Sequence, residues 1–126
     1  MKRREPLYKS FGFAFEGIFN TIKSERNIKI HIFATIMVVI FGFILKISYV
    51  EWLICLLLFG LITSLELVNT AVEATVDLAT EERKALAKKA KDAAAGAVLY
   101  SAIIAAITGG IIFFPKFFNF IIEGFS

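Results

Sequence analysis

The sequence predicts an all-α integral membrane protein, with an N-terminal amphipathic surface helix and three transmembrane helices. Three observations carry this prediction. Of the 126 residues, 58% are hydrophobic and 14 are Phe, and the mean hydropathy is +0.75, well above an ordinary soluble domain. Apolar runs occur at 32–45, 52–65 and 93–114, and about 20 residues suffice to cross a bilayer. The basic residues are grouped rather than scattered. One small domain spanning 1–126 is expected.

Residues 1–5 are basic, with Lys2, Arg3 and Arg4. Lys9 and Glu16 interrupt the stretch after them and no small-residue cleavage site appears, so no cleaved signal is expected. Residues 6–24 read as the surface helix. Leu7, Tyr8, Phe11, Ala14, Phe15, Ile18, Phe19 and Ile22 fall within about 140° on a helical projection. Lys9, Ser10, Glu16, Asn20 and Lys23 lie opposite, and Phe13 alone breaks the pattern. Pro6 suits a first helical turn. An aromatic face opposite a polar one suits a membrane interface, or else a neighbouring bundle.

Ser24-Glu25-Arg26-Asn27 reads as a break and a fresh start, with Ser24 as cap and Glu25 in the first turn. The first span is expected over 28–48. His31 lies near its entry as a polar interfacial residue, with a ligand or shuttle role as the alternative. Lys46 can snorkel at its far end. Tyr49 and Trp52 are interface aromatics. The second span is expected over 52–77 and the third over 93–114, ended by Pro115 and Lys116. Ala93, Ala94, Ala95, Gly96 and Ala97 make the start of the third span slim enough for close packing. The tail FFNFIIEGF is an aromatic interfacial segment or a disordered end. Between the last two spans, 79–92 is a basic loop in which Thr80 caps a helix with Glu81 and Glu82 in its first turn.

Residues 1–29 and 79–92 hold twelve of the fourteen Lys and Arg residues. Three spans put both segments on one side. By the positive-inside rule that side is the cytoplasm, with the N-terminus there. The single Cys55 excludes an intrachain disulfide, and one His with one Cys excludes a His/Cys metal cluster. Any metal must be held by oxygen.

The chemistry concentrates at the end of the second span. Glu66, Asn69, Glu73 and Asp77 follow at i, i+3, i+7 and i+11 and lie within roughly 80° of one another on a helix. A carboxylate in a span is costly and usually functional. Glu25, Lys91 and Asp92 are expected at the same cytoplasmic interface, and Lys84, Lys88 and Lys91 share a basic face. Carboxylates from two helices can hold Mg²⁺ whose shell is completed by phosphates. Lysines can neutralise phosphate charge, and Glu66 would meet a lipid hydroxyl. These parts suit a kinase joining a soluble nucleotide to a membrane alcohol, although no Walker or protein-kinase glycine loop is present. An ion-coupled transporter and a scaffold whose stripe is helix–helix glue are the competing readings.

Glu66-x-x-Asn69-Thr70-Ala71-Val72-Glu73-x-x-Val76-Asp77 resembles the signature of the small prokaryotic diacylglycerol kinase family, which includes the undecaprenol kinases of Gram-positive bacteria. The resemblance continues in Ala90-Lys91-Asp92, in the Glu25 region and in the helix order. It implies Glu66 as the general base on the lipid hydroxyl and Asn69 as a residue shaping the active site. It implies Glu25 and Glu73 as ligands of the divalent cation that accompanies ATP. Asp77, Lys91 and Asp92 match nucleotide-site positions and Glu82 a loop position near the nucleotide; Lys84 is added for the face it shares with Lys91. It also implies a homotrimer with sites between subunits. Pro6 stands where enterobacterial members have an arginine, and neither Arg4 nor Lys9 is assigned in its place. His31 stands where those members have an acidic residue. With the Phe-rich tail, these departures make the chain similar to the Gram-positive branch. Undecaprenol is therefore the expected acceptor and diacylglycerol the alternative.

Overall fold

The computed structural model describes residues 6–80, 82 and 84–124. Lys2, Arg3, Arg4, Glu81, Arg83 and the last residue of the aromatic tail, Phe125, lie outside them. Within the described residues the chain is all-helical: α1 Leu7–Ser24, α2 Arg26–Ile44, α3 Tyr49–Ala79 and α4 Ala85–Gly124. The last three are long and apolar enough to cross a membrane. At 1.5 Å per residue, α2 is roughly 28 Å long, α3 roughly 46 Å and α4 roughly 60 Å. The hydrocarbon core is about 30 Å thick, so α3 and α4 outlast it.

The break between α1 and α2 falls one residue later than expected. Glu25 itself is extended (φ −101°, ψ 120°), serving as both C-cap of α1 and N-cap of α2. Ser24 ends α1 rather than capping α2, and Glu25 stands before the first turn of α2 rather than within it. No side chain caps α2 at that point. Lys29 Nζ instead reaches back across the break to the Lys23 carbonyl at 3.0 Å, which satisfies an acceptor at the end of α1.

The helix that carries the first span, α2, ends at Ile44, before residue 48 to which the span is expected to reach. Lys46 adopts the left-handed region (φ 54°). The Ile47 N–H then donates to the Gly42 carbonyl at 3.1 Å, and Ile47 is buried. This is a Schellman turn with its hydrophobic contact, built on lysine where glycine is usual. A residue in that conformation stops a helix whatever the hydropathy beyond it. Just after this turn, Ser48 opens α3. Its Oγ accepts from the Glu51 N–H at 3.2 Å, while its own N–H donates to Glu51 Oε1 at 2.8 Å. This reciprocal box fixes the helix start ahead of Trp52, at Tyr49.

The third span departs furthest from expectation. Its helix, α4, runs 40 residues, beginning at Ala85 and passing through Pro115 to Gly124. Pro115 and Lys116 therefore do not end it, and the tail continues the helix. Passing a proline forfeits one backbone bond, whereas ending a helix among apolar residues strands four carbonyls with no water to meet them. Lys116 Nζ also lies 3.2 Å from Glu51 Oε1, tying the far half of α4 to the start of α3. At its other end, α4 starts after Thr80. Thr80 is the C-cap of α3, and its Oγ1 accepts from the Glu82 N–H at 3.1 Å, so it closes a turn rather than capping α4.

α3 and α4 form an antiparallel hairpin, α2 packs on α3, and α1 lies against α2 and α3. The apolar core among these helices is small: Ile28, Ile47, Ile62, Val98 and Ile112 are its buried hydrophobic members. Most large apolar side chains on α2, α3 and α4 point outward, Phe33, Leu57 and Ile111 among them. At the α2–α3 turn, a Cβ added to Gly42 would lie 2.6 Å from the Trp52 ring and 3.2 Å from Ile47. The Trp52 ring also stacks, tilted, on Phe43 with centroids 4.9 Å apart. Gly42→Ala is therefore expected to lower stability by about 1–3 kcal/mol through overpacking. Thermal unfolding in detergent, read by Trp52 fluorescence, checks this; an unchanged transition would show that the ring moves aside freely.

Candidate active site

A carboxylate well inside an apolar helix organises the site. Glu66 on α3 is 2% exposed. His31 on α2 faces it, with Nε2 3.2 Å from Glu66 Oε1. Glu66 Oε1 has no hydrogen-bond partner. The pairing is therefore one of proximity, not of a made hydrogen bond. One turn along α3, Asn69 is also buried. Its Nδ2 donates to Glu73 Oε1 at 3.1 Å, and its Oδ1 is left without a partner. Two adjacent buried acceptors without partners are unusual, because each costs free energy unless something meets it.

Both acceptors belong to residues lining a cavity of about 260 Å³ between α2, α3 and α4. Asn27, Ile30 and His31 wall it from α2, and Ala95, Val98, Leu99 and Ala102 from α4. The small Ala95 and Ala102 keep the α4 wall thin. A second cavity, about 650 Å³, runs among the same three helices toward Trp52 and Phe113. Its walls are almost wholly apolar, with Thr35, Cys55 and Gly109 among them. His31 and Ala102 line both cavities. The polar cavity and the apolar one thus meet at His31, beside Glu66.

The remaining expected site residues lie toward the end of the hairpin where α3 meets α4. Glu73 is half-buried on α3 and Glu25 half-buried at the α1–α2 break. The charges of both act on Glu66. Lys91 Nζ donates to Asp77 Oδ1 at 2.5 Å, bridging α4 to α3. Lys88 donates to Asp92 Oδ2 at 2.5 Å within α4, and that carboxylate pushes the exposed Lys88 ammonium pKa up. Lys84 sits 3.8 Å from Glu82 in the exposed connection, and neither residue lines either cavity. Lys84, Lys88 and Lys91 therefore each face a different carboxylate. Among the described residues no three His, Cys, Asp or Glu side chains gather into a metal cage. Glu25 and Glu73 are the two carboxylates that could hold a cation whose remaining ligands come from phosphates.

The contact of His31 with Glu66 is a site feature that sequence reasoning misses. Its only signal in the sequence is a lone histidine near the entry of an apolar helix, and an interfacial role explains that equally well.

Residues 12–113 match the family described as prokaryotic diacylglycerol kinase. The chain belongs to this family. It is 51% identical over 110 residues to the undecaprenol kinase of Bacillus subtilis, covering 87% of this chain and 89% of that protein. It is 37% identical over 117 residues to a diacylglycerol kinase of Synechocystis, covering 92% of this chain and 67% of that one. A diacylglycerol kinase of Haemophilus influenzae is 29% identical over 109 residues, covering 86% and 92% respectively. As a member of the prokaryotic diacylglycerol kinase family with three helices able to span a bilayer, the chain is a membrane protein and a lipid kinase. Membership favours this reading over the transporter and the scaffold.

The burial of Glu66 is expected to cost stability. Glu66→Gln removes the ionisable group and puts an amide, donor as well as acceptor, in place of a carboxylate that can only accept. The variant is expected to fold and to unfold at a temperature a few degrees above wild type. Thermal melts in matched detergent test this, and a lower melting temperature would show that the pairing with His31 is net stabilising.

Proposed function

We propose that this kinase transfers the γ-phosphoryl group of ATP to the hydroxyl of undecaprenol at the cytoplasmic membrane interface, yielding undecaprenyl phosphate. The observation that carries the reading is the place of Glu66, a buried base where a long apolar cavity meets a polar one. A hydrocarbon chain seated in the apolar cavity would present its terminal hydroxyl beside that carboxylate. Identity of 51% to an undecaprenol kinase favours the polyprenol as acceptor. The relatives named diacylglycerol kinase support diacylglycerol as the second reading.

In this scheme Glu66 takes the hydroxyl proton as the lipid oxygen attacks the γ-phosphorus and ADP leaves. Asn69 holds Glu73 in place through its amide. Glu25 and Glu73 would hold Mg²⁺, which supplies neutralisation of the β- and γ-phosphate charge when bound with ATP. Asp77, Lys91 and Asp92 form the nucleotide end, with Glu82 and Lys84 in the connection beside it. The basic residues gathered at 1–29 and 79–92 put that end and the N-terminus in the cytoplasm. α1 lies in the interface, where the exposed Leu7, Phe11, Phe15 and Phe19 would enter the headgroup layer. The whole chain acts as one kinase domain, assembled as a homotrimer whose neighbouring copies cover part of the exposed apolar faces of α2–α4.

Purified protein with labelled ATP and Mg²⁺ is expected to phosphorylate undecaprenol with a higher kcat/KM than diacylglycerol. Well-folded protein that labels neither lipid would overturn the reading; a preference for diacylglycerol would replace the acceptor. Glu66→Gln is expected to lower kcat by about 10²–10⁴-fold while ATP binding, measured by calorimetry, persists. Gly109 lines the apolar cavity, and a Cβ there meets nothing within 4 Å. Gly109→Leu should therefore occupy part of the cavity, its Cβ at least meeting no neighbour. It is expected to raise KM for undecaprenol about tenfold with KM for ATP unchanged, and equal KM values for both proteins would place the lipid chain elsewhere.

A further inference from the structure

We propose that His31 relays the proton: it takes from Glu66 the proton that Glu66 has removed from the lipid hydroxyl, and passes it to water. The inference rests on the lipid-kinase reading above.

A base that is 2% exposed works once and must then be discharged. Water does not reach Glu66 freely, so a neighbouring group must accept the proton. The walls of its cavity limit the choice. Besides Glu66 and His31 they consist of the Asn27 and Asn69 amides and hydrocarbon, and an amide does not take a proton at neutral pH. Glu25 and Glu73 are felt at Glu66 electrostatically, but neither lines the cavity. α4 contributes no titratable group to it. His31 is left. Its Nε2 is already 3.2 Å from Glu66 Oε1, within reach of a short adjustment to hydrogen-bonding geometry. Its side chain is 21% exposed where that of Glu66 is 2%, so the ring is the more accessible member of the pair.

The balance is complete without another reactant. The lipid O–H bond breaks and its proton goes to Glu66. The oxygen pair forms the bond to the γ-phosphorus, and the bond to the bridging oxygen breaks with its pair, releasing ADP. The proton then moves from Glu66 to Nε2, restoring the carboxylate, and the imidazolium gives up one proton to water. One proton is released per turnover, as the overall reaction requires. While the ring is charged, it stands against a newly restored carboxylate in a low-dielectric site, where opposite charges attract strongly. His31 acts through Glu66 rather than on the substrate, as a positioning and proton-relay residue.

A partner that only orients Glu66 could be replaced by an amide, whereas a relay could not. His31→Gln and His31→Ala in the full-length protein are assayed with Mg²⁺-ATP and both lipids. His31→Gln is expected to lower kcat by about 10–100-fold with KM for ATP unchanged, and added imidazole is expected to restore rate to His31→Ala. A wild-type kcat in His31→Gln, or a His31→Ala rate that imidazole leaves unchanged, overturns the relay. A measurement independent of activity guards against misfolded variants. The chain has one histidine, so its ring-nitrogen NMR signals need no assignment in a protein purified without a histidine tag. They are expected to shift on Glu66→Gln, and unmoved signals overturn the contact on which the relay depends. Wild-type protein that transfers phosphate to neither lipid overturns the kinase reading and the relay with it, whereas active wild type with unaffected His31 variants overturns the relay alone.

Discussion

Burying the Glu66 carboxylate is the constraint on which the rest of the arrangement depends. Taking a carboxylate out of water costs on the order of several kcal/mol even after relaxation. The helices around it answer that cost only in part. α2 brings His31 to 3.2 Å, and α4 offers small residues and no charge. Asn69, one turn away, turns its amide nitrogen to Glu73 and leaves its oxygen unmet. A site optimised for stability would pair these acceptors. Leaving them open keeps a reactive group beside the junction of two cavities.

The two ends of the α3–α4 hairpin are built differently, in keeping with this. At the end near Trp52, the Schellman turn at Lys46, the Ser48–Glu51 box, the Gly42–Trp52 contact and the Glu51–Lys116 pair fix the geometry closely. At the other end, the exposed Asp77–Lys91 pair ties α3 to α4, and Lys88–Asp92 pairs within α4. Exposed pairs of this kind hold weakly and exchange readily with solvent or ligand. Rigidity at one end and replaceable ionic contacts at the other fit the proposed entry of a charged nucleotide at that end. The length of α3 joins the two, carrying one polar stripe from the hydrocarbon to the water.

Much of the fold and part of the site are legible in the residues alone. Hydropathy locates the three long helices because a segment that must bury every backbone group in lipid has few alternatives to a helix. The spacing Glu66, Asn69, Glu73, Asp77 puts those four residues on one face because helical periodicity is fixed by the backbone. Helix ends are less legible. Pro115 looks like a stop, yet the bundle carries the helix past it. Ser24 looks like a cap, yet Glu25 holds the extended residue. Lys46 gives no sign of a left-handed turn, since nothing in a lysine asks for one. The Ser48–Glu51 box is present in the spacing S-x-x-E, but the apolar run beginning at Trp52 masks it.

By itself the sequence determined the helical class, the membrane character, the polar stripe and the family signature, because each depends on local periodicity, composition or residue identity. The tertiary structure decided which groups meet across helices. His31 and Glu66 stand on different helices, as do Ala102 and the α2 residues across the cavity from it, and no periodicity within one helix relates them. Their approach depends on where α2 stops, how slim α4 is and how the hairpin folds back. Those are properties of packing, and they place Glu66, His31 and the two cavities at one point.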